Sequence, residues 1–305
     1  MPTHKGDQWL AETLESVAGQ AVAGIEVLVI DSSPTTATVD IARSFAGRID
    51  VQVHERPDLL MWHAKTNFGV TIARAAHACW LHQDDLWLPG RADAARRWID
   101  DDPAAALLLA PSAIVDNSGR TLGVWGCPLP TDGVAPAELV LERLLVQNFV
   151  SAPAPVFRTD AWRDSGGLDE ELWYTADWDI WLKMAAIGHV RYREQVTTAF
   201  RIHGGSLTMT GSRDIKDFTN QMQVVLDRHL PRVKASSQRV RRAAATSIAV
   251  NTALASAATG NFGKLPRALL DLLGLGPAGL HRYFRDSRIV ERVLPRLRAN
   301  LQGSF

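Results

Sequence analysis

Two adjacent carboxylates follow a short apolar stretch near the end of the first third of the chain. Residues 80–89 read W-L-H-Q-D-D-L-W-L-P, so Asp84 and Asp85 stand where the apolar stretch stops. Open α/β sheets bind ligands at the carboxyl edge of their strands, and paired aspartates there offer oxygen ligands for Mg²⁺ or Mn²⁺ with a bound phosphate. Alternatively, the two carboxylates cap the helix expected after Pro89. These ten residues alone favour neither role.

Strands and helices alternate through the first hundred residues, and this alternation should position the aspartate pair. Apolar runs predict strands at 25–30, 49–53 and 79–81. Helices are expected to begin near Asp7, which can cap the first of them, and to span 38–45, 65–76 and 89–99. Such units are typical of βαβ crossovers, and they predict a Rossmann-like, mostly parallel sheet flanked by helices.

The pattern changes after residue 130. Further strands are expected at 105–109, 155–158, 190–193 and 196–202, with a hairpin at 114–124 and helices at 136–146 and 177–187. The strands at 190–193 and 196–202 are expected at sheet edges. From about Asp214 the pattern is helical, so we expect a domain at 1–212 and a mainly helical region at 213–305.

Composition indicates an ordinary globular protein. The 305 residues are 46% hydrophobic and 22% charged, which is enough for a full core and an appendage. Cys79 and Cys127 are the only cysteines, and their separation of 48 residues indicates neither a disulfide framework nor a zinc site. The sequence has no signal pattern and no apolar run long enough for a membrane span. We therefore expect a cytoplasmic protein.

Charge is distributed unevenly along the chain. Residues 1–227 contain 19 basic and 30 acidic side chains, whereas residues 228–305 contain 14 and 3. This basic region could lie on anionic lipid at the inner face of the membrane, or it could pack against the acidic body of the protein. No recognition motif accompanies the charge, so nucleic acid is not expected as a partner.

Five separated motifs occur in order along the chain: M-P-T-H at 1–4, V-I-D-S at 29–32, L-H-Q-D-D-L-W at 81–87, G-G-L-D at 166–169 with A-D-W-D at 176–179, and R-I-H-G-G-S-L-T at 201–208. Together they resemble the family 2 glycosyltransferases of the GT-A fold. The resemblance covers about residues 1–208. It implies transfer of a sugar from a nucleotide donor, with inversion at the anomeric carbon.

The resemblance also implies residues that bind the donor. Thr3 and Asp31 would hold the base and ribose, although Asp31 could instead form the turn before Pro34. Asn67, in K-T-N-F-G at 65–69, would contact the donor at a helix start.

The family's Asp-x-Asp motif maps onto residues 82–84. Asp84 would therefore bind Mg²⁺ or Mn²⁺. His82 replaces the first carboxylate, and its neutral imidazole would contact the donor by accepting a hydrogen bond from a ribose hydroxyl, or meet the metal through water, without adding charge. Asp85 would orient the loop or the donor sugar. His203 would reach the metal and Arg201 the departing diphosphate, which needs positive charge. The Gln-Asp-Asp-x-Trp form of the motif resembles rhamnosyltransferase-like members.

Asp177 maps onto the family's catalytic base. An ionised carboxylate within hydrogen-bond reach can take the proton of an attacking hydroxyl, and the first turn of a helix favours ionisation. Alternatively, Asp177 and Asp179 only complement the helix dipole, with Trp178 and Trp181 as packing residues.

Two departures from the family pattern stand out. Ala176 occupies the position of a family glutamate, and Met1-Pro2 stands where a first strand should already be ending. We therefore expect that strand to be truncated, and we expect the natural start to lie upstream.

Together these features predict a metal-dependent hexosyl- or deoxyhexosyl-transferase. Its donor would be a UDP- or dTDP-sugar, its acceptor a saccharide or lipid-linked saccharide, and its pathway the synthesis of surface polysaccharide. The alternative is a catalytically impaired sugar-binding, nucleotide-binding or scaffold protein of the same fold.

Overall fold

The computed structural model describes residues 1–20, 23–131, 133–206, 214–233 and 237–301. Its strands are β1 (Pro2–Thr3), β2 (Glu26–Asp31), β3 (Asp50–Glu55), β4 (His77–Ala78), β5 (Leu86–Trp87), β6 (Leu107–Leu109), β7 (Ser112–Val115), β8 (Thr121–Trp125), β9 (Val134–Ala135), β10 (Val156–Arg158), β11 (Val190–Tyr192) and β12 (Thr198–Arg201). Its helices are α1 (Leu10–Ala18), α2 (Ala37–Ser44), α3 (Trp62–Ile72), α4 (Arg91–Asp101), α5 (Ala137–Val146), α6 (Thr159–Asp164), α7 (Ala176–Ile187), α8 (Ile215–His229), α9 (Ser237–Ala258), α10 (Leu265–Leu273), α11 (Gly276–Ser287) and α12 (Ile289–Leu301). The expected boundary at 212/213 and the end of the R-I-H-G-G-S-L-T motif lie outside the described residues.

The N-terminal sheet has the predicted parallel architecture. β2 lies between β1 and β3, and both pairings are parallel. Val29 of β2 packs with Leu10 and Leu14 of α1 in one buried cluster, because apolar residues recur along the helix at i and i+4. Thr3 and Asp31 are paired in register. The carboxyl edge of this sheet therefore presents the two residues together, as a nucleotide site requires.

The first strand is short, as the sequence indicates. β1 has only two residues, and the Met1 ammonium donates to the Leu28 carbonyl at 2.8 Å. Burial lowers the pKa of this ammonium to about 5. Beside it lies a largely apolar cavity of about 370 Å³, whose walls include Val27, Trp80 and Phe157. The register of Thr3 with Asp31 is nevertheless formed.

The other two sheets are mixed, and most of their pairings are antiparallel. The prediction of a mostly parallel sheet is wrong for this part of the fold. A second sheet has the order β4-β10-β6-β11-β9 and a third the order β5-β12-β7-β8. Only β6–β11 and β7–β12 are parallel in these two sheets, and the other five pairings are antiparallel. The last two strands, β11 and β12, were expected at edges but lie inside their sheets. The hairpin prediction is confirmed by β7 and β8.

The strand β4 ends at Ala78, and the residues between it and the aspartate pair do not form a strand. The prediction of a strand at 79–81 is therefore wrong. Trp80 is buried in an aromatic cluster, with ring centroids 4.6 Å from Trp181 and 5.4 Å from Trp162. Packing of this ring, rather than a hydrogen-bonded ladder, holds the segment in place. Asp84 and Asp85 follow in a tight turn before β5.

Two capping predictions are also wrong. No side chain caps α4, which begins after Gly90 in the left-handed region at φ 81°, so the aspartate pair is not its cap. Helix α1 begins at Leu10 without a side-chain cap, so Asp7 does not cap it.

The largest core cluster connects the second sheet with helices from the middle and the C-terminal part of the chain. It includes Trp178 and Trp181 of α7, Leu144 of α5 and Val225 of α8. The C-terminal helices pack on this core, and α12 lies against β8, where a Cβ on Gly123 would stand 3.1 Å from Pro295. The described helices include none long and apolar enough to cross a bilayer.

Candidate active site

One cavity of about 470 Å³ opens at the carboxyl edge of the N-terminal sheet. It brings together seven of the nine site residues predicted from the sequence: Thr3, His82, Asp84, Asp85, Asp177, Arg201 and His203. These residues come from β1, the turn before β5, α7, and β12 with the loop after it. The chain therefore converges on one place from four distant segments.

Asp31 supports this cavity from behind its wall. Its carboxylate accepts hydrogen bonds from Thr3 Oγ1 at 2.8 Å, Ser33 Oγ at 2.8 Å and the Ser33 amide at 2.9 Å. Lys65 Nζ donates to the Thr3 carbonyl at 2.6 Å, and burial lowers the pKa of Lys65 to about 8 against the opposing effect of the Asp31 charge. Asp31 thus fixes the strand end that presents Thr3.

Asn67 also lies outside the cavity lining. Its amide nitrogen donates to the Leu168 carbonyl at 2.9 Å, and its oxygen accepts from the Leu168 amide at 2.9 Å. Gly167, the residue before Leu168, has a φ of 70°. There is no room for a Cβ at this position, because it would stand 2.7 Å from the side-chain oxygen of Asn67. In this structure Asn67 anchors the Gly-Gly turn that precedes α7.

Asp84 and His203 form the polar centre of the cavity. Asp84 Oδ2 lies 2.9 Å from His203 Nε2. Burial acts to raise the pKa of Asp84, but the hydrogen bond to His203 and the nearby His82 outweigh it and lower the pKa. Asp84 is therefore ionised at neutral pH, as a metal ligand must be.

Asp85 and Arg201 form the buried floor beneath Asp84. Asp85 Oδ1 accepts from the Arg201 amide at 3.0 Å, and burial with the neighbouring Asp84 charge raises the Asp85 pKa well above its usual value. The Arg201 guanidinium donates to the Asp84 carbonyl at 2.9 Å and to the exposed carboxylate of Glu12 at 2.8 Å. It also stacks 4.4 Å from the Trp9 ring centroid. Every nitrogen of this guanidinium has a partner within the protein.

His82 stands in the wall as a neutral side chain. Its ring packs edge-on against Trp62, with centroids 5.4 Å apart, and burial lowers its pKa. Its Nε2 is buried and has no hydrogen-bond partner among the described residues. A buried nitrogen without a partner, in a side chain that lines a cavity, could accept a hydrogen bond from a ligand hydroxyl.

Asp84 and His203 fit a metal that is held largely by its substrate. The described residues contain no group of three or more His, Cys, Asp or Glu side chains able to enclose an ion. Mg²⁺ in nucleotide sites, however, commonly uses one or two protein ligands and takes the rest from phosphates and water. A carboxylate with an adjacent imidazole suits that mode, in which a phosphate-bearing ligand would supply the remaining oxygen atoms.

Asp177 lies in the first turn of α7 and faces the same cavity. Asn148 Nδ2 donates to its Oδ2 at 3.0 Å, and the Trp178 amide donates to its Oδ1 at 2.7 Å. Burial outweighs these hydrogen bonds and raises the pKa of Asp177 to about 6. The dipole of α7, which the sequence suggested would favour ionisation, is thus not the dominant effect. A carboxylate with this pKa is a stronger base than an exposed aspartate.

Asp179, two residues later, has a structural environment. Its carboxylate lies 2.6 Å from Lys183, 2.7 Å from His229 and 2.9 Å from Arg228. Burial acts to raise its pKa, but the hydrogen bonds of His229 and Lys183 lower it to about 2. The two aspartates thus differ, since Asp179 ties α7 to α8 and Asp177 faces the cavity.

Several cavity residues escaped prediction as site residues, among them Asn148, Arg292 and Arg296. Asn148 orients Asp177, whereas Arg292 and Arg296 reach the cavity from α12. The two arginines are four residues apart, a spacing that places both on one helix face. The basic composition of the tail was visible in the sequence, but the direction of this face was not.

Comparison with known proteins agrees with the geometry. Residues 1–127 match the sequence profile of glycosyl transferase family 2. An uncharacterised glycosyltransferase of Rickettsia prowazekii is 20% identical over 220 residues, which is 72% of this chain and 67% of that protein. TarS of S. aureus, residues 1–349 with UDP-GlcNAc, superposes with a TM-score of 0.57 at 17% identity, covering 100% of this chain and 91% of that one. The mannosyltransferase PcManGT from Pyrobaculum calidifontis, with GDP-Man and Mn²⁺, gives 0.52 at 16% identity, with coverages of 100% and 86%.

Some relatives are much longer than this protein. The chain spans 36% of an uncharacterised glycosyltransferase of Rickettsia felis and 42% of a longer TarS structure. What is shared is the N-terminal sequence profile and the architecture around the cavity. Residues 1–127 thus resemble glycosyl transferase family 2 in sequence, and the chain has the fold of the GT-A glycosyltransferases.

Proposed function

We propose that this protein transfers a sugar from a nucleoside-diphosphate donor to an acceptor hydroxyl, with inversion at the anomeric carbon. Residues 1–212 would form the catalytic domain, and residues 213–305 would complete the acceptor side. The observation on which the proposal rests is that Asp84 and His203 share one cavity with Asp177, a carboxylate of raised pKa. Asp84 and His203 would then stabilise the leaving group, and Asp177 would remove the proton, within the same cavity.

On the donor side, Thr3 would contact the nucleoside, while Asp31 keeps Thr3 in place. Asp84 and His203 would hold Mg²⁺ or Mn²⁺ against the diphosphate, and the bound ion would neutralise charge that develops on the leaving group. His82 would offer its unpaired Nε2 to a donor hydroxyl. Arg201 and Asp85 would act beneath these residues, by fixing the position of the Asp84 turn.

On the acceptor side, Asp177 would accept the proton of the attacking hydroxyl. Asn148 holds Oδ2 at 3.0 Å and the Trp178 amide holds Oδ1 at 2.7 Å, so the carboxylate has a fixed orientation. Each oxygen retains a second lone pair for a substrate proton.

A donor panel tests the proposed activity. UDP-GlcNAc and GDP-Man are included because the structural neighbours bind them. The panel also includes dTDP-rhamnose, because the Gln-Asp-Asp-x-Trp motif resembles rhamnosyltransferase-like members. We expect one donor to be hydrolysed slowly without acceptor and to bind more tightly with Mn²⁺. If calorimetry detects binding of none of them, the alternative of a scaffold or saccharide-binding protein is favoured.

The pH dependence of transfer should follow the ionisation of Asp177. The base must be deprotonated, and its pKa is about 6. We therefore expect kcat/KM to fall about tenfold per pH unit below this pKa and to level off above it. Initial rates at saturating metal, measured across about pH 5 to 8, would show this limb. A flat profile down to about pH 5 would contradict the assignment.

We further propose that the C-terminal helices contact anionic lipid, where a lipid-linked acceptor would reside. Large apolar side chains are exposed on them, namely Leu269, Leu270, Leu273, Phe284, Val290, Leu294 and Leu297. Exposed arginines, including Arg267 and Arg282, occur on the same helices. Apolar side chains flanked by basic ones are typical of helices that lie on membrane surfaces.

Leu270→Asp with Leu273→Asp should weaken binding to phosphatidylglycerol vesicles by about tenfold or more, because burial of each leucine contributes about 1.5–3 kcal/mol. Co-sedimentation would measure this binding. Ile187→Asp, which alters an exposed apolar residue at the end of α7, is the matched control and should bind like the wild type. Equal sedimentation of the wild type with neutral and anionic vesicles would rule out an electrostatic contribution of the arginines to membrane binding.

A further inference from the structure

Two arginines of α12 line the cavity wall to which Asp177 also contributes. Helix α12 packs against β8, and Arg292 and Arg296 stand one turn apart on it. Both side chains reach the cavity that contains Asp84 and Asp177. The guanidinium of Arg292 lies 5.6 Å from the ring centroid of Trp125, the last residue of β8. The C-terminal region thus supplies two positive charges to the site itself.

Among the described residues, neither charge has a carboxylate as an ion-pair partner. Nε and Nη1 of Arg292 are buried without hydrogen-bond partners among the described residues. Arg296 donates through Nη1 to the Arg292 carbonyl at 2.7 Å, and neither arginine forms an ion pair with a described residue. Their neighbours behave differently, since Arg288 lies 2.7 Å from Glu291 and Arg285 lies 2.7 Å from Asp286.

Such an arrangement is unfavourable in the free protein. Burial lowers the pKa of Arg292, and burial together with the Arg292 charge lowers the pKa of Arg296 to about 10. Two buried like charges that no carboxylate contacts in an ion pair destabilise a fold unless a ligand supplies such a contact. The free donors therefore point to an anion that binds here.

We infer that Arg292 and Arg296 bind a phosphate group carried by the acceptor. The forked guanidinium can donate two parallel hydrogen bonds to phosphate oxygens, and two adjacent arginines match a doubly charged group. The charge of Asp177 acts on Arg292, which places this pair on the side of the proposed base. The inference rests on the proposed transfer reaction, because it assigns a charge to that reaction's acceptor.

Two soluble probes distinguish the possible sources of the phosphate. The full chain is first saturated with UDP and Mn²⁺, so that the donor site is filled, and is then titrated with glycerol phosphate or with dodecyl phosphate below its micellar concentration. Binding of both probes indicates recognition of the phosphate group itself. Binding of dodecyl phosphate alone indicates a lipid phosphate. Binding of neither overturns the inference.

Arg292→Met and Arg296→Met should each weaken binding of the probe about tenfold or more, because each removes a charge-assisted donor. Arg97→Met, which alters an exposed arginine on α4, is the matched control and should bind like the wild type. In the absence of phosphate, the Tm of Arg292→Met should be unchanged or higher, since an unpaired buried charge is lost. A lower Tm with unchanged phosphate binding would assign Arg292 to the fold alone.

Donor binding separates this inference from the proposed function. The two arginine variants should bind UDP with wild-type affinity. An equal loss of UDP binding would mean that the arginines hold the donor diphosphate, and it would overturn the acceptor assignment. If wild-type protein binds no donor but still binds phosphate through Arg292 and Arg296, the proposed function fails and the anion site stands.

Discussion

Asp177→Asn should abolish sugar transfer while leaving donor binding intact. Loss of a general base typically lowers the rate by about 100- to 10,000-fold, and the substituted amide is almost identical in shape. The new amide has one acceptor oxygen, so it keeps the hydrogen bond from Asn148 and loses the one from the Trp178 amide, and the loop should remain in place. Initial rates of transfer and calorimetric titration with the donor would be compared in the same preparation.

Asp164→Asn, at the exposed end of α6, is the matched control because it removes one carboxylate far from the cavity. It should transfer at the wild-type rate. Wild-type transfer by Asp177→Asn would remove the proposed base from the mechanism. A parallel loss of donor affinity would show that the carboxylate binds the donor and does not act on the acceptor.

Asp84→Asn should abolish the effect of metal on donor binding. The substitution keeps the size of the side chain but removes the charge that a divalent ion requires, and it weakens the contact with His203 at 2.9 Å. We expect donor affinity in Mn²⁺ to fall about 100-fold, which corresponds to about 2.7 kcal/mol. The residual affinity should then be the same in Mn²⁺ and in EDTA.

The matched control is Asp93→Asn, on the exposed first turn of α4, which should retain the metal effect. The decisive comparison is the ratio of donor affinities with and without metal in each variant. If Asp84→Asn keeps the wild-type ratio, the ion is bound elsewhere or is not used.

The sequence was sufficient for those parts of the site that lie at element ends. The start of α7 can be placed from the sequence, and Asp177 in its first turn does share one cavity with Asp84, although Asp84 follows a turn and not the predicted strand. The register of Thr3 with Asp31 also follows from parallel pairing. Local pattern and chain order together predict such positions.

Side-chain partners that depend on distant segments could not be predicted in this way. The family resemblance assigns Asn67 to donor binding, yet its side chain anchors a glycine turn a hundred residues away. Arg201 looked like a free cation for the diphosphate, but its nitrogens are bound by backbone carbonyls and Glu12. A sequence gives the side-chain type but not which distant group satisfies it.

The mixed sheets and the inward arginines have a similar explanation. Strands of two to five residues, such as β5 and β12, contain too little periodicity to reveal their direction of pairing. The face of α12 that carries Arg292 is selected only when the helix packs on β8. Arg292 and Arg296 belong to a region that the sequence shows only as basic, and it is the tertiary packing of α12 that places them in the cavity.

The most direct test of the central claim is the anomeric configuration of the product. Proton NMR of the disaccharide formed from the donor identified by the panel would report this configuration, for the wild type and for Asp177→Asn. The proposed mechanism predicts a product inverted relative to the donor sugar from the wild type, and no product above background from Asp177→Asn. A product with retained configuration, or an inverted product formed at the wild-type rate by Asp177→Asn, would contradict it.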